Sequence, residues 1–401
     1  MSAEGTSGGS DRQRRDAWRP GAPGDPIYLD HHATTPCDPA VVEAMLPFFG
    51  ARFGNPSSRT HGFGRDAARA IEAARVQVAA LVGGSPKEIV FTSGATEALN
   101  LAIQGAALAE PARRHVVTTA IEHEAVLDTI TALEARGHEV TRVAPGADGV
   151  VDADAVAAAI RPDTLLVAVM HANNEVGTIQ PLADIAPRCR ERGALFLVDA
   201  AQSAGKIPVD APALGADLVA VSAHKLYGPK GVGALWVRRR PPVRLDPLVH
   251  GGGQERGLRS GTQNVPGIVG FGVAAELALA SLGAEARHLG GLRDDLLARL
   301  RARVPSLRVN GSLSARLPQN LHVAFPGVEA RRLVERLAGA VAVSSGSACA
   351  SARLETSHVL AAMGLPPDVS YSAVRFGLGR WTTAEDVAVA ADAVADAVLT
   401  D

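Results

Sequence analysis

The stretch Asp217–Gly233, DLVAVSAHKLYGPKGVG, decides how the chain is read. Its first part, Leu218–Val221, is a short apolar run of strand length. The chain then breaks into small residues carrying Ser222, His224 and Lys225, and Gly228, Pro229, Gly231 and Gly233 prevent a helix. A lysine just past a buried strand is poorly placed for a solvated surface charge. It suits an amine held in a pocket, where desolvation favours the neutral form that attacks carbonyls. The competing reading is an exposed lysine in an ordinary β-turn, and the rest of the chain has to decide.

Working outward, similar apolar runs recur at Ile89–Phe91, His115–Thr118, Glu139–Val143, Leu165–Met170, Leu195–Val198 and Ala234–Val237. Helical spacing lies between several of them, over Glu97–Leu108, Ala125–Arg136, Ala153–Ile160 and Leu182–Arg192. This alternation predicts an α/β fold with a mostly parallel seven-stranded sheet flanked by helices. Ahead of it, the spacing predicts helices over Pro39–Phe49 and Asp66–Leu81, with a Gly- and Pro-dense loop between them. After Gly251 the pattern changes. A helical region from Val265 to Val304 is expected to break near Gly283 and Gly290. Short strands, a helix at Glu329–Leu337 and a C-terminal helix from Ala384 complete a smaller α+β unit. The expected division is a disordered tail over 1–26, a large domain over 27–264 and a small domain over 265–401.

Composition narrows the function. The 401 residues are 47% hydrophobic with a formal net charge of -2, which suits an enzyme and leaves no basic footprint for nucleic acid. No uninterrupted run reaches the ~18 apolar residues of a membrane span. The 3 cysteines, Cys37, Cys189 and Cys349, are too far apart for a metal motif and odd in number. No metal site is expected, and a reducing cytoplasm fits best.

In a parallel sheet, ligands sit beyond the carboxyl ends of the strands. The residues there form a set. Ser93-Gly94-Ala95-Thr96-Glu97 opens a helix with small residues that suit a phosphate, unless Ser93 or Thr96 simply caps the helix with Glu97. Asp199 ends one run and Gln202 follows it; Asp199 reads either as a carboxylate needing a cationic partner or as a loop cap. Asn174 lies in a cluster of hydrogen-bonding groups, and His123 follows another run. A phosphate cradle, a buried acid, a buried lysine and a ring-sized histidine are what a phosphorylated aromatic aldehyde needs. The lysine holds the aldehyde as an imine and the acid keeps the ring nitrogen protonated, so that the ring can draw electrons.

These residues fall within stretches that together resemble one family. YLDHHATTP, FGNPSS, FTSGATEALN, EHEAVLD, NNEVG, VDAAQS, SAHKLYGPKGVGAL, HGGGQERGLRSGT, SSGSACAS and VRFGLGRWTT occur in that order. The chain resembles the cysteine desulfurases of the iron–sulfur-cluster and nitrogenase type, class-V aminotransferases of the fold-type I pyridoxal-phosphate enzymes. The resemblance implies pyridoxal 5'-phosphate as cofactor and L-cysteine as substrate. It implies that Lys225 is the imine-forming lysine, that Asp199 pairs with the ring nitrogen and that Gln202 bonds the ring hydroxyl. Ala95, Thr96, Ser222 and His224 would hold the phosphate. Thr262 would reach the phosphate of a neighbouring subunit in a homodimer. His123 would stack on the ring, and Asn174 and Arg375 would bind the substrate carboxylate, a task suited to a planar guanidinium. Cys349, in a run of small residues, would take the sulfur as a persulfide and pass it to an acceptor protein serving iron–sulfur clusters, transfer-RNA thiolation or related pathways. A selenocysteine lyase, another class-V enzyme or a sulfur carrier with vestigial chemistry are the alternatives.

Overall fold

The computed structural model describes residues 21–22, 24–345 and 357–400. The expectations for the N-terminal tail and for Cys349 therefore fall outside the described residues. Twelve strands are numbered here in chain order: β1 (Ile27–Tyr28), β2 (Ile89–Thr92), β3 (His115–Thr119), β4 (Glu139–Val143), β5 (Thr164–Met170), β6 (Leu195–Asp199), β7 (Leu218–Ser222), β8 (Gly233–Val237), β9 (Arg308–Val309), β10 (Asn320–Ala324), β11 (Val341–Ala342) and β12 (Ala373–Gly377).

The main sheet has seven strands in the order β2-β8-β7-β6-β5-β3-β4. Strands β3 to β7 run parallel, while β8 is antiparallel to both of its neighbours. All seven residues of β5 are buried, because helices cover both faces of the sheet. Val167 and Val169 point into one core, and Leu166 and Ala168 point into the opposite one. Helices Ala95–Ala109 and Glu124–Glu134 cover the second face; Gly62–Leu81 and Leu182–Glu191 cover the first. The chain order reverses between β3 and β5, which is where an open sheet leaves a crevice at its carboxyl edge.

A second core lies beneath the three-stranded antiparallel sheet β12-β10-β9 and helices Ala330–Leu337 and Ala384–Leu399. Strand β1 pairs with β11, so the first described strand packs with late residues, and Leu29 sits in this second core.

One expectation needs correction. Val265–Arg303 is a single continuous helix of 39 residues, with no break at Gly283 or Gly290. A helical glycine costs about 1 kcal/mol, whereas each buried leucine contributes about 1.5–3 kcal/mol, so packing at the two ends outweighs the weak middle. Its first turns bury Ile268, Phe271 and Ala275 in the main core; its last turns bury Leu289, Leu296 and Leu300 in the second. By length and composition this helix could cross a membrane, but its apolar side chains are spent on those two cores. Two short helices, His358–Ala362 and Pro367–Tyr371, and a start of the second long helix at Gly62 rather than Asp66, also differ from the sequence reading.

Candidate active site

The carboxyl ends of the parallel strands open into a cavity of about 470 Å³. Ala95, Thr96, His123, Asn174, Asp199, Gln202, Ser222, His224, Lys225 and Arg375 all line it. The strand-end reading thus brings ten expected residues to one place. Thr262 is exposed and outside the lining, and Cys349 lies outside the described residues.

Lys225 sits in a single 3-10 turn that follows β7 directly. Its Nζ donates to the carbonyl oxygen of Ala33 at 2.8 Å and also to that of His32. These carbonyls belong to the turn after β1, which the sequence reading treated as a polar connection. His32 is a functional residue that reading missed. Its Nε2 takes the amide of Asn320 at 3.1 Å, which leaves Nδ1 to donate to Gln202 Oε1 at 3.0 Å. Gln202 Nε2 in turn donates to the His32 carbonyl at 3.0 Å. The His31-His32 doublet beside the first strand was the available signal, but its partners lie far away in sequence.

Asp199 ends β6 and is 7% exposed. One of its oxygens accepts from Ala201 N–H at 2.9 Å, and it makes no salt bridge among the described residues. Burial pushes its carboxyl pKa up, opposed by that bond and by the charges of His123 and Lys225. A buried acid short of a cation at the cavity floor fits a protonated ring nitrogen.

The start of helix Ala95–Ala109 decides between the two readings of this stretch. Neither Ser93 nor Thr96 caps it; the N-cap is Gly94, with no side-chain bond. The free N–H groups of that first turn therefore face the cavity uncapped. A Cβ at Gly233 would lie 2.7 Å from the Gly94 backbone, so only glycine lets β8 support this cradle so closely. His224, whose pKa burial pushes down to about 4, keeps a neutral ring bonded to Thr34 Oγ1 at 3.1 Å. Residue types and environment here suit a phosphate on one side and a pyridine ring on the other.

Arg375 is 2% exposed on β12. Its two terminal nitrogens donate to Asn174 O at 2.8 Å and Asp30 Oδ1 at 2.9 Å, whereas Nε is buried without a partner. The planar guanidinium lines the cavity, where its charge suits a carboxylate. His123 N-caps helix Glu124–Glu134, its Nδ1 accepting from Ala125 N–H at 3.0 Å. The turn carrying it is held from below by Glu122, whose Oε1 accepts from Thr119 Oγ1 at 2.6 Å and from Met170 N–H at 2.9 Å. Burial pushes the Glu122 carboxyl up to about 8. Glu175, also in the lining, takes Ser357 Oγ at 2.6 Å. Sequence reading did not select Glu122, Glu175 or His358, because each stands beside a residue with a stronger signal or in a stretch without periodicity.

The chain is similar to known proteins in sequence and in fold. The family model described as aminotransferase class-V matches residues 27–389. The chain is 56% identical over 363 residues to the cysteine desulfurase IscS of Anaeromyxobacter dehalogenans (strain 2CP-C), covering 90% of each protein. It is 52% identical over 374 residues to that of Methylococcus capsulatus (strain ATCC 33009 / NCIMB 11132 / Bath), covering 93% of this chain and 92% of the relative. A solved NifS-like protein superposes with a TM-score of 0.87 at 40% identity, covering 94% of this chain and 99% of that one. With fold, cavity and relatives in agreement, the chain belongs to the class-V aminotransferase family, among its cysteine desulfurases.

Proposed function

We propose that the protein is a pyridoxal-phosphate-dependent cysteine desulfurase that converts L-cysteine to L-alanine and leaves the sulfur as a persulfide on Cys349. The observation that carries this reading is the convergence of Lys225, Asp199 and Arg375 on one cavity, where the buried Asp199 carboxylate has no cationic partner among the described residues. Relatives over 90% of the chain are cysteine desulfurases.

Pyridoxal phosphate, when bound, would supply an electron sink for the substrate's α-carbon. The first turn of Ala95–Ala109 with Thr96, Ser222 and His224 would hold its phosphate, and Asp199 and Gln202 its ring. Arg375 and Asn174 bind the substrate carboxylate and so orient the α-carbon. Lys225 would hold the cofactor and would carry the substrate's α-proton. The Cys349 thiolate attacks the substrate sulfur; the S–S bond forms, the C–S bond breaks, and its electron pair ends as a C–H bond of alanine. On this reading residues 27–264 form the cofactor-binding unit and 265–401 the unit bearing Cys349.

The resemblance further supports a cytoplasmic homodimer in which Thr262 reaches the partner's phosphate. Its exposure outside its own chain's cavity agrees with that role. The sulfur goes to an acceptor protein for cluster assembly, transfer-RNA thiolation or a related use. The test is release of alanine and sulfide from L-cysteine by cofactor-loaded protein with a reductant. Equal yields are expected, with both lost in Cys349→Ala; undiminished sulfide release from that variant would refute the persulfide route.

A further inference from the structure

His358 opens the short helix His358–Ala362 and lines the same cavity as His123. Its backbone is fixed on both sides. Ser357 caps the helix by accepting from Leu360 N–H at 3.2 Å while donating to buried Glu175 at 2.6 Å. Val359 and Leu360 are fully buried just beyond.

The ring is fixed as well. Its Nε2 lies 3.0 Å from the carbonyl oxygen of Glu122. A carbonyl can only accept, so Nε2 carries the proton, and in the neutral ring Nδ1 bears the lone pair. Among the described residues Nδ1 has no hydrogen-bond partner, and it is not one of the buried unpartnered atoms. His123 is set the opposite way. Its Nδ1 accepts from Ala125 N–H, so the neutral ring carries its proton on Nε2. The Glu122 carbonyl thus sets the tautomer of His358, and the Ala125 N–H sets that of His123. Both rings line the cavity as the Nε2–H tautomer, His358 with Nε2 engaged and His123 with Nδ1 engaged.

We propose that His358 is the proton acceptor for a thiol entering this cavity, with His123 in the donor role. This rests on the desulfurase reading given above. The S–H bond breaks, its proton passes to Nδ1, the electron pair stays on sulfur as thiolate, and the imidazolium later returns the proton to water. Only the thiolate is nucleophilic, and free thiols titrate near 8.5, so an acceptor speeds the reaction at neutral pH. Among the described residues, the titratable groups on the elements next to His358 are Glu122, His123 and Glu124 on the adjoining turn, Glu175 bonded to Ser357, and Asp368 and Tyr371 on helix Pro367–Tyr371. Lys225 and Arg375 are cations of the same cavity.

The test uses His358→Gln, whose amide nitrogen can keep the bond to the Glu122 carbonyl, and His358→Asn, which is too short to do so. With the cofactor's absorbance unchanged, both variants should lose about 10²-fold in kcat/KM at neutral pH. Both should lose the acidic limb of its pH profile, and added imidazole should restore part of the rate. Stopped-flow mixing of Cys349→Ala, with and without His358→Gln, with L-cysteine identifies the thiol. Slowing of the cofactor's spectral change assigns the substrate's thiol; a loss confined to alanine formation in the Cys349-containing protein assigns the protein's own. Wild-type rate and pH profile in His358→Gln, whatever His358→Asn does, would overturn the proposal while leaving the desulfurase reading intact. Absence of alanine from wild-type holoenzyme would overturn both.

Discussion

Ser344 and Arg375 exchange both backbone hydrogen bonds: Arg375 N–H reaches Ser344 O at 2.7 Å, and Ser344 N–H reaches Arg375 O at 3.4 Å. The strand residue whose guanidinium faces the cavity is thereby tied to the chain just ahead of the segment bearing Cys349. Ser357, just after that segment, is tied to Glu175, the neighbour of Asn174, whose carbonyl takes the same guanidinium. The Arg375 guanidinium and the two flanks of the cysteine segment share one set of contacts. Arg375→Lys keeps a charge but loses the planar fork. A lost charge-assisted bond is worth about 1.5–3 kcal/mol, so KM for L-cysteine should rise roughly 10- to 100-fold. Steady-state kinetics checks this; an unchanged KM would remove Arg375 from substrate binding.

Glu122 separates two variants. Its folded-state pKa of about 8 lies above the ordinary 4.5 because of burial. The stability this contributes is complete below about pH 4.5 and is lost as pH rises through 8. Glu122→Gln keeps an acceptor for Thr119 and Met170 but does not titrate, so its melting temperature should gain on wild type between those pH values. Glu122→Ala strands both donors and should cost about 1–3 kcal/mol at any pH. Parallel melting curves against pH would contradict this account.

Acid should destabilise the protein over two successive pH ranges. Burial holds His31 and His171 down to about 4 and His322 to about 3. The unfolded chain takes up these protons first, so the contribution is whole above about pH 6.5 and lost as pH falls through the folded values. Glu285 resists the burial that would raise it, because Lys206 and Arg380 hold it at about 2. Its contribution is present above about 4.5 and lost below that. Melting temperatures should therefore decline from about pH 6.5 downward, with a further loss below about 4.5. A flat profile between pH 7 and 5 would mean the buried histidines do not act this way.

At Gly283 and Gly290 a Cβ would meet nothing within 4 Å. Gly→Ala at either site should therefore stabilise the protein by about 0.5–1 kcal/mol from helix propensity alone, as read by denaturant midpoint. A loss at either would mean that the helix needs its weak centre.

Those two glycines also mark where sequence reading stopped. Propensity is local, and it placed a break where burial of Phe271 at one end and Leu296 at the other holds the helix together. Lys225, Asp199 and His123 were legible because short apolar runs fix strands, and strand ends in a parallel sheet share one edge. Gln202 was legible, but its bond to His32 crosses 170 residues and has no periodic signature. Sequence left a Ser93 or Thr96 cap open beside the phosphate cradle because those side chains usually cap helices; the structure has neither cap. His358 follows a stretch without pattern and starts a helix of only five residues, too short to leave a period.

The helix Val265–Arg303 acts as an axle rooted in both cores. Neither core can lose its order without pulling out a strut that the other needs. The molecule should therefore come apart in one step, and limited proteolysis should release no lasting fragment corresponding to either half. The cavity takes Lys225 from the main sheet and Arg375 from β12 of the second, and this linkage keeps the two side chains in a common frame.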